Sequence, residues 1–275
     1  MGATKANGVS LHCELHGSGE PLVLVHGSWG DATGWRQVVP ALAESFRVMV
    51  YDRRGHSRSE RPKTQGSVHE DADDLAALLE SLDLAPAHVA SSSYGGNVAL
   101  RLAAARPELF RSLSCHEPPL WQLLADDPEG SGLRRRQAAL EDEIGERIAA
   151  GDCEGAARMF VDELAFGTGT WDERLPPQLK AIFIRNAPTF LDELQDPDAY
   201  GVDLPAISRA GISLQLTKGT ESPGEFASVI DRLADALPQA RRETIEGAGH
   251  VPQLTMPERY VQTVTAFARM AEALA

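Results

Sequence analysis

Short β-branched and leucine runs alternate along this chain with longer stretches of helical periodicity, and that alternation leaves few folds open to it. Residues 22–25 read Leu-Val-Leu-Val, and similar runs recur at 46–51, 88–91, 113–116, 212–217 and 242–245. Continuous apolar runs this short mark strands buried on both faces of a parallel sheet. Residues 9–16 instead alternate with a period near two and are expected as an edge strand. Between the runs lie helical segments at 35–43, 68–84, 97–106, 227–237 and 257–273. In the second of these, Leu75, Leu78, Leu79 and Leu82 fall on one face and acidic residues on the other. That acidic face reads as solvated rather than as a metal site. The expected class is α/β, a mostly parallel sheet flanked by helices.

Strand signals stop between 119 and 205. Helical pieces at 122–125, 133–150, 154–166, 177–186 and 190–194 take their place, broken by Gly, Pro and Asp. Aromatic and aliphatic residues are spread through this stretch, so it reads as a packed helical insertion. The expected organisation is a core of residues 1–118 and 206–275 with an inserted unit at 119–205.

The balance of 26 basic against 40 acidic residues, net charge −14, disfavours nucleic acid or an anionic membrane as partner. A neutral small-molecule substrate is not repelled by it. Three widely spaced cysteines, Cys13, Cys115 and Cys153, suggest neither a disulfide framework nor a zinc cluster. Free thiols, no apolar signal segment at the N-terminus and no long apolar run lead to the expectation of a cytoplasmic protein without a membrane span. No cofactor or metal is expected, and monomer and homodimer stay equally open. The polar turn at 52–59 reads as a structural corner tied by its own side chains.

In sheets of this kind chemistry gathers in loops at the carboxyl ends of the strands. His26, Ser93, Glu117, Glu221 and His250 all fall just after expected strands. Ser93 lies in Ser91-Ser92-Ser93-Tyr94-Gly95-Gly96, between a strand and a helix, a setting that holds a serine out as a nucleophile. Its hydroxyl needs a base, and His250, after the Gly247-Ala248-Gly249 turn, is the best placed of the eight histidines. Backbone N–H groups of Tyr94 and Ser28, with Trp29 as the alternative to Ser28, are candidates for stabilising an oxyanion. His26 reads as a brace for its loop.

Taken in order, His26-Gly27-Ser28-Trp29-Gly30, Tyr51-Asp52-x-Arg54-Gly55-x-Ser57-x-Ser59, Ser91-x-Ser93-Tyr94-Gly95-Gly96 and Gly247-x-Gly249-His250 resemble the landmarks of the α/β-hydrolase fold superfamily. The resemblance covers nearly the whole chain outside the insertion, which corresponds to that superfamily's helical lid. It implies a serine hydrolase with a catalytic triad. One departure stands out: Ser222 occupies the place where the superfamily commonly carries its aspartate. Glu117 and Glu221 are the available replacements, with Asp203 an outside candidate. Glu117 is favoured because some lactonases of the superfamily take their acid from that earlier strand end. Relatives that open epoxides or displace halide carry aspartate where this chain has Ser93, so acyl transfer to water is expected. The expected substrate is a neutral, fairly apolar ester or lactone, in a pocket formed by Trp29, Trp121, Phe160, Phe166, Trp171 and Phe183. A carbon–carbon bond or amide hydrolase on the same triad, cofactor-free perhydrolysis at the same site, and a slow-turnover ligand-binding homologue are the alternatives.

Overall fold

The computed structural model describes residues 2–125 and 128–274. Eight strands form one sheet: β1 Gly2–Ala6, β2 Val9–His16, β3 Glu20–Val25, β4 Phe46–Tyr51, β5 Ala87–Ser92, β6 Phe110–His116, β7 Ser213–Gly219 and β8 Arg241–Ile245. Their order is β1-β2-β4-β3-β5-β6-β7-β8. The pairs β1/β2 and β2/β4 are antiparallel and the others parallel. Residues 9–16 are therefore not the edge, because β1 lies outside them. β1 reads Gly-Ala-Thr-Lys-Ala and has no apolar alternation to betray it. It is folded back by Asn7 and Gly8, both at positive φ (46° and 81°), the backbone that a tight hairpin turn requires.

Alternate side chains along the strands enter opposite layers. Val23 and Val25 pack with Val89, Leu113 and the helices α1 Val68–Ser81 and α2 Tyr94–Ala105. Leu22 and Leu24 pack on the other face with Val48, Val50, Trp35 and the helix α8 Pro257–Leu274. Each fully buried aliphatic side chain in these layers contributes about 2 kcal/mol. Ser67 starts α1 by accepting the Glu70 N–H at 3.3 Å.

Between β6 and β7 the chain forms α3 Pro128–Ala149, α4 Cys153–Met159, α5 Pro177–Gln195 and α6 Leu204–Ala210, and α7 Gly224–Ala236 follows β7. A third apolar layer, with Trp29, Ile144, Phe160, Trp171 and Phe190, joins this segment to the loop after β3. Two local features differ from the sequence reading. α4 runs into a single π turn at Phe160–Ala165. α5 is continuous through Pro188, where the sequence breaks into two pieces. Tertiary bonds hold α5 across that proline. Asn186 Nδ2 donates to Trp29 O and Gly30 O at 3.1 and 2.9 Å, and Thr189 Oγ1 lies 3.0 Å from His56 Nε2. Cys13, Cys115 and Cys153 are free thiols. No helix among the described residues is long and apolar enough to cross a membrane.

Candidate active site

Ser93 stands alone between β5 and α2, with φ 54° and ψ −132°. A non-glycine residue held there costs about 1–3 kcal/mol, so the surroundings must over-determine it. They do. The Ser93 N–H donates to His116 O at 2.8 Å, and Gly96 N–H closes the bend on Ser93 O at 2.7 Å. A Cβ on Gly95 would stand 2.7 Å from His26 O and nearer still to Val25 O, so only glycine lets α2 leave this close to β3. Ser91 takes the other small-residue position, fully buried, its hydroxyl donating to Ser114 O at 3.3 Å.

His250 and Glu117 meet beside this bend. His250 Nδ1 lies 2.7 Å from Glu117 Oε2, and Gly219 N–H donates to Glu117 Oε1 at 2.8 Å. Facing a carboxylate, Nδ1 carries the proton, which leaves Nε2 with its lone pair. Glu117 is fully buried, itself at positive φ (46°), and follows the end of β6, its N–H donating to Thr217 O of the neighbouring β7 at 3.2 Å. Burial pushes its pKa up, but His116, the His250 hydrogen bond and Ser222 outweigh burial and hold it below the ordinary glutamate value. The His250 ring is stacked on Phe226, centroids 3.9 Å apart.

The loop after β3 lies directly over Ser93. A Cβ on Gly27 would be 2.7 Å from Ser93 Cβ. His26 braces the loop: its Nδ1 donates to Gly27 O at 2.8 Å and its Nε2 accepts the Arg53 N–H at 2.9 Å. Burial, then the Arg53 charge, lower its pKa to about 4, so the ring is neutral near pH 7. Ser28 Oγ donates to Glu193 Oε2 at 2.5 Å, and Arg53 Nη2 donates to Glu193 Oε1 at 2.8 Å. The other arm of Arg53 holds Asp71 at 2.6 Å, and its guanidinium lies 4.7 Å over the Tyr94 ring. Burial pushes Glu193 up to about 7, against the pull of Arg53 and Ser28. The turn at 52–59 is tied as its side chains suggest: Asp52 accepts Ala32 N–H at 2.9 Å and Arg58 N–H at 3.1 Å.

A cavity enclosing about 610 Å³, its open mouth included, has Ser93, His250, Ser28, Phe160, Phe166 and Phe183 in its walls. Leu179, Ile182, Val251 and Leu254 complete an apolar lining. Trp121 lines a second, narrower cavity that also reaches Ser93 and Ser28. Trp29 and Trp171 line neither. Trp29 is fully buried and stacked on Phe160 at 4.9 Å, and Trp171 packs in the same apolar layer with Lys180 Nζ 5.5 Å from its ring centre. Their bulk and burial make them packing residues. Glu221 is exposed, with its N–H on Ala248 O at 2.8 Å, and His250 Nδ1 is already taken by Glu117. Asp203 caps α6 by accepting Ala206 N–H at 2.9 Å. Ser222 is half-buried, with its hydroxyl oxygen shielded from solvent beside Gly219. Among the described residues no three His, Cys, Asp or Glu side chains converge as metal ligands.

The profile of the Alpha/beta hydrolase family matches residues 22–263. The chain belongs to that family. Among curated relatives, the uncharacterized hydrolase YraK of Bacillus subtilis (strain 168) is 37% identical over 143 residues, 51% of this chain and 51% of that protein. The aligned stretch is thus about half of that relative's length. A carboxylesterase structure from the thaumarchaeon Nitrososphaera gargenis covers 99% of both chains with TM-score 0.80 at 20% identity. Est816, described as an N-acyl homoserine lactone degrading enzyme, superposes with TM-score 0.73 at 24% identity, over 96% of this chain and 99% of its own. Both likenesses concern the fold.

Sequence reasoning missed Phe226, whose ring forms the floor under His250, and the buried Arg53–Glu193 pair behind Ser28. Phe226 had a signal, since it opens the helix after the same strand end as Glu221. Glu193 had none, being one acidic residue among several on a helix.

Proposed function

We propose that this alpha/beta hydrolase is a serine hydrolase that cleaves a neutral, fairly apolar carboxylic ester or lactone through an acyl-serine. The observation that carries the reading is the 2.7 Å contact of Glu117 with His250 Nδ1 in a molecule where Ser93 and His250 wall one cavity. With Nδ1–H held by Glu117, Nε2 accepts the Ser93 proton as Oγ attacks the carbonyl carbon. Negative charge then develops on the carbonyl oxygen, and the backbone N–H groups of Tyr94 and Ser28 are the donors assigned to it. Each such donor is worth roughly 10²–10³ in turnover. His250 returns the proton to the leaving oxygen, takes another from water as hydroxide attacks the acyl carbon, and passes it to Ser93 Oγ as the acid leaves. The sum is ester plus water giving acid plus alcohol; a lactone gives one hydroxy acid.

The helices at 119–205 act in this reading as a lid. α5 docks on the core through Glu193–Arg53 and Asn186, and its Leu179, Ile182 and Phe183 line the cavity that Ser93 also lines. That apolar lining favours a neutral substrate, and the esterase and lactonase among the structural relatives lend the ester class further support. The slow-turnover reading rested on the serine at 222, and Glu117 beside the imidazole speaks against it. A panel of p-nitrophenyl esters, lactones, anilides and vinylogous diketones tests the assignment. Ester or lactone turnover lost by at least about 10³ in Ser93→Ala supports it. Cleavage of amides or carbon–carbon bonds in preference to all esters and lactones overturns it.

A further inference from the structure

The oxyanion donor assigned to Ser28 is a backbone N–H, and its aim depends on how the peptide between Gly27 and Ser28 is turned. That peptide is trans, so its C=O and N–H point in opposite directions. Gly27 O is held by His26 Nδ1 at 2.8 Å and, more loosely, by Arg53 Nη2 at 3.4 Å. The Ser28 N–H therefore points away from His26 and Arg53. The same peptide is also held from its Ser28 end. Ser28 Oγ donates to Glu193 Oε2 at 2.5 Å, and Glu193 Oε1 accepts Arg53 Nη2 at 2.8 Å. Gly27 O, Arg53, Glu193 and the Ser28 hydroxyl thus close a ring of hydrogen bonds around one peptide unit.

Glu193 comes from the inserted helix α5, 165 residues beyond Ser28. α5 reaches the loop a second time, where Asn186 Nδ2 donates to Trp29 O and Gly30 O. Between these two contacts Trp29 is held at φ 65°, a backbone that a non-glycine residue adopts only when its surroundings impose it. Arg53 is anchored in turn on the core. Its Nη1 donates to Asp71 Oδ2 at 2.6 Å, and its guanidinium lies over the ring of Tyr94, whose N–H is the other assigned donor. Packing alone does not account for Glu193, which is 4% exposed. A buried ion pair is weak support for stability, and an apolar side chain of similar size would dock α5 as well. What an apolar side chain would not do is hold Ser28.

On the acyl-serine reading, on which this inference rests, the oxyanion donors matter most in the transition state, where the charge develops. We propose that Glu193 is a positioning residue for the oxyanion: from α5 it fixes the Ser28 peptide, so that the backbone N–H is correctly aimed only while α5 is docked on the core. Docking of the inserted helix and assembly of a competent site are then one event. Glu193 touches neither substrate nor reacting atoms; it acts through Ser28.

Kinetics separate aiming from anchoring. Wild type, Ser93→Ala, Ser28→Ala, Glu193→Ala, Glu193→Gln and the double variant Ser28→Ala/Glu193→Ala are assayed with p-nitrophenyl butyrate near pH 8. Ser28→Ala keeps the backbone N–H and loses only the hydroxyl that Glu193 holds. Its kcat should fall by about tenfold or more, part of the 10²–10³ that outright removal of a donor costs, with KM within about threefold. Glu193→Ala should lose at least as much. Glu193→Gln should recover to within about threefold of wild type, because its carbonyl still accepts from Arg53 and its NH₂ still reaches Ser28 Oγ. The two alanine changes break one contact, so the double variant should lie within about threefold of Glu193→Ala. Inhibition by butyl trifluoromethyl ketone, whose adduct on Ser93 carries the same oxyanion, should weaken by the factor by which kcat falls. Three results overturn the proposal: wild-type kcat in Ser28→Ala, a raised KM with unchanged kcat in Glu193→Ala, or losses that multiply in the double variant. Should Glu193→Ala fail to fold, Ser28→Ala decides alone. Turnover lost in Ser93→Ala but unchanged in the Ser28 and Glu193 variants overturns the positioning role and leaves the acyl-serine reading standing. Full turnover in Ser93→Ala overturns that reading, and the positioning role with it.

Discussion

Glu117→Gln should abolish most turnover without disturbing substrate binding, and the geometry says why. Two donors share the Glu117 carboxylate: Gly219 N–H on Oε1 at 2.8 Å and His250 Nδ1 on Oε2 at 2.7 Å. Glutamine offers one acceptor and one NH₂. Its carbonyl stays with Gly219, because turning the NH₂ against that buried N–H would leave a donor unpaired at about 1–3 kcal/mol. The NH₂ therefore faces Nδ1, and the ring avoids a donor–donor contact only by moving its proton to Nε2. In that tautomer Nε2 has no lone pair for the Ser93 proton. A wrong-tautomer substitution in a serine triad lowers kcat by about 10⁴, equivalent to about 5 kcal/mol of transition-state stabilisation. The cavity walls are untouched, so KM should stay within about threefold. Stopped-time assays with p-nitrophenyl butyrate near pH 8, beside a thermal melt to show that the variant is folded, read both quantities. A folded Glu117→Gln protein with kcat within tenfold of wild type would refute the reasoning, since the imidazole would then not depend on this carboxylate.

Three further outcomes follow from the packing. Gly95→Ala drives a methyl into Val25 O and His26 O; it should destabilise the protein by at least about 2 kcal/mol, and a melt lowered by less than about 4 °C contradicts this. Glu193, pushed up to about 7 by burial, keeps in the folded state a proton that the unfolded chain has lost above about 4.3. Its contribution to stability is complete below about 4.3 and declines as pH rises toward about 7, by something on the order of 2–3 kcal/mol. Urea unfolding across that window should therefore show a shallower decline in Glu193→Gln, the remainder belonging to Asp71, itself raised to about 6; an unchanged slope contradicts the burial argument. Phe183→Ala widens the main cavity that Ser93 also lines, so kcat/KM for a branched ester over an acetate should rise by about tenfold; no change in that ratio would remove Phe183 from the site.

Much of this arrangement was legible in the sequence for identifiable reasons. The buried strands are short apolar runs, and Leu22 to Val25 pack on both faces as such a run must. Ser93 lies on a sharp strand-to-helix bend because Gly95 has no side chain to meet Val25 and His26. Glu117 and Glu221 both follow strands, and periodicity alone did not rank them. Their difference is tertiary, since β6 lies inside the sheet beside β7 and turns the one inward, while the other is exposed. β1 escaped because its residues are small and polar, although Asn7-Gly8 announces a hairpin. α5 was broken at Pro188 because local propensity opposes a proline inside a helix, and the bonds of Asn186 that override it come from a loop far away in the chain. Trp29 and Trp171 illustrate the converse: large aromatics read as pocket walls are buried in packing.

The most direct test of the account is the mass of the intact protein after phenylmethanesulfonyl fluoride, followed by peptide mapping. The account predicts one adduct per chain, on Ser93, formed at least about 10³ times more slowly when His250 is alanine. Modification at any other residue, or labelling of Ser93 at an unchanged rate in His250→Ala, would contradict it.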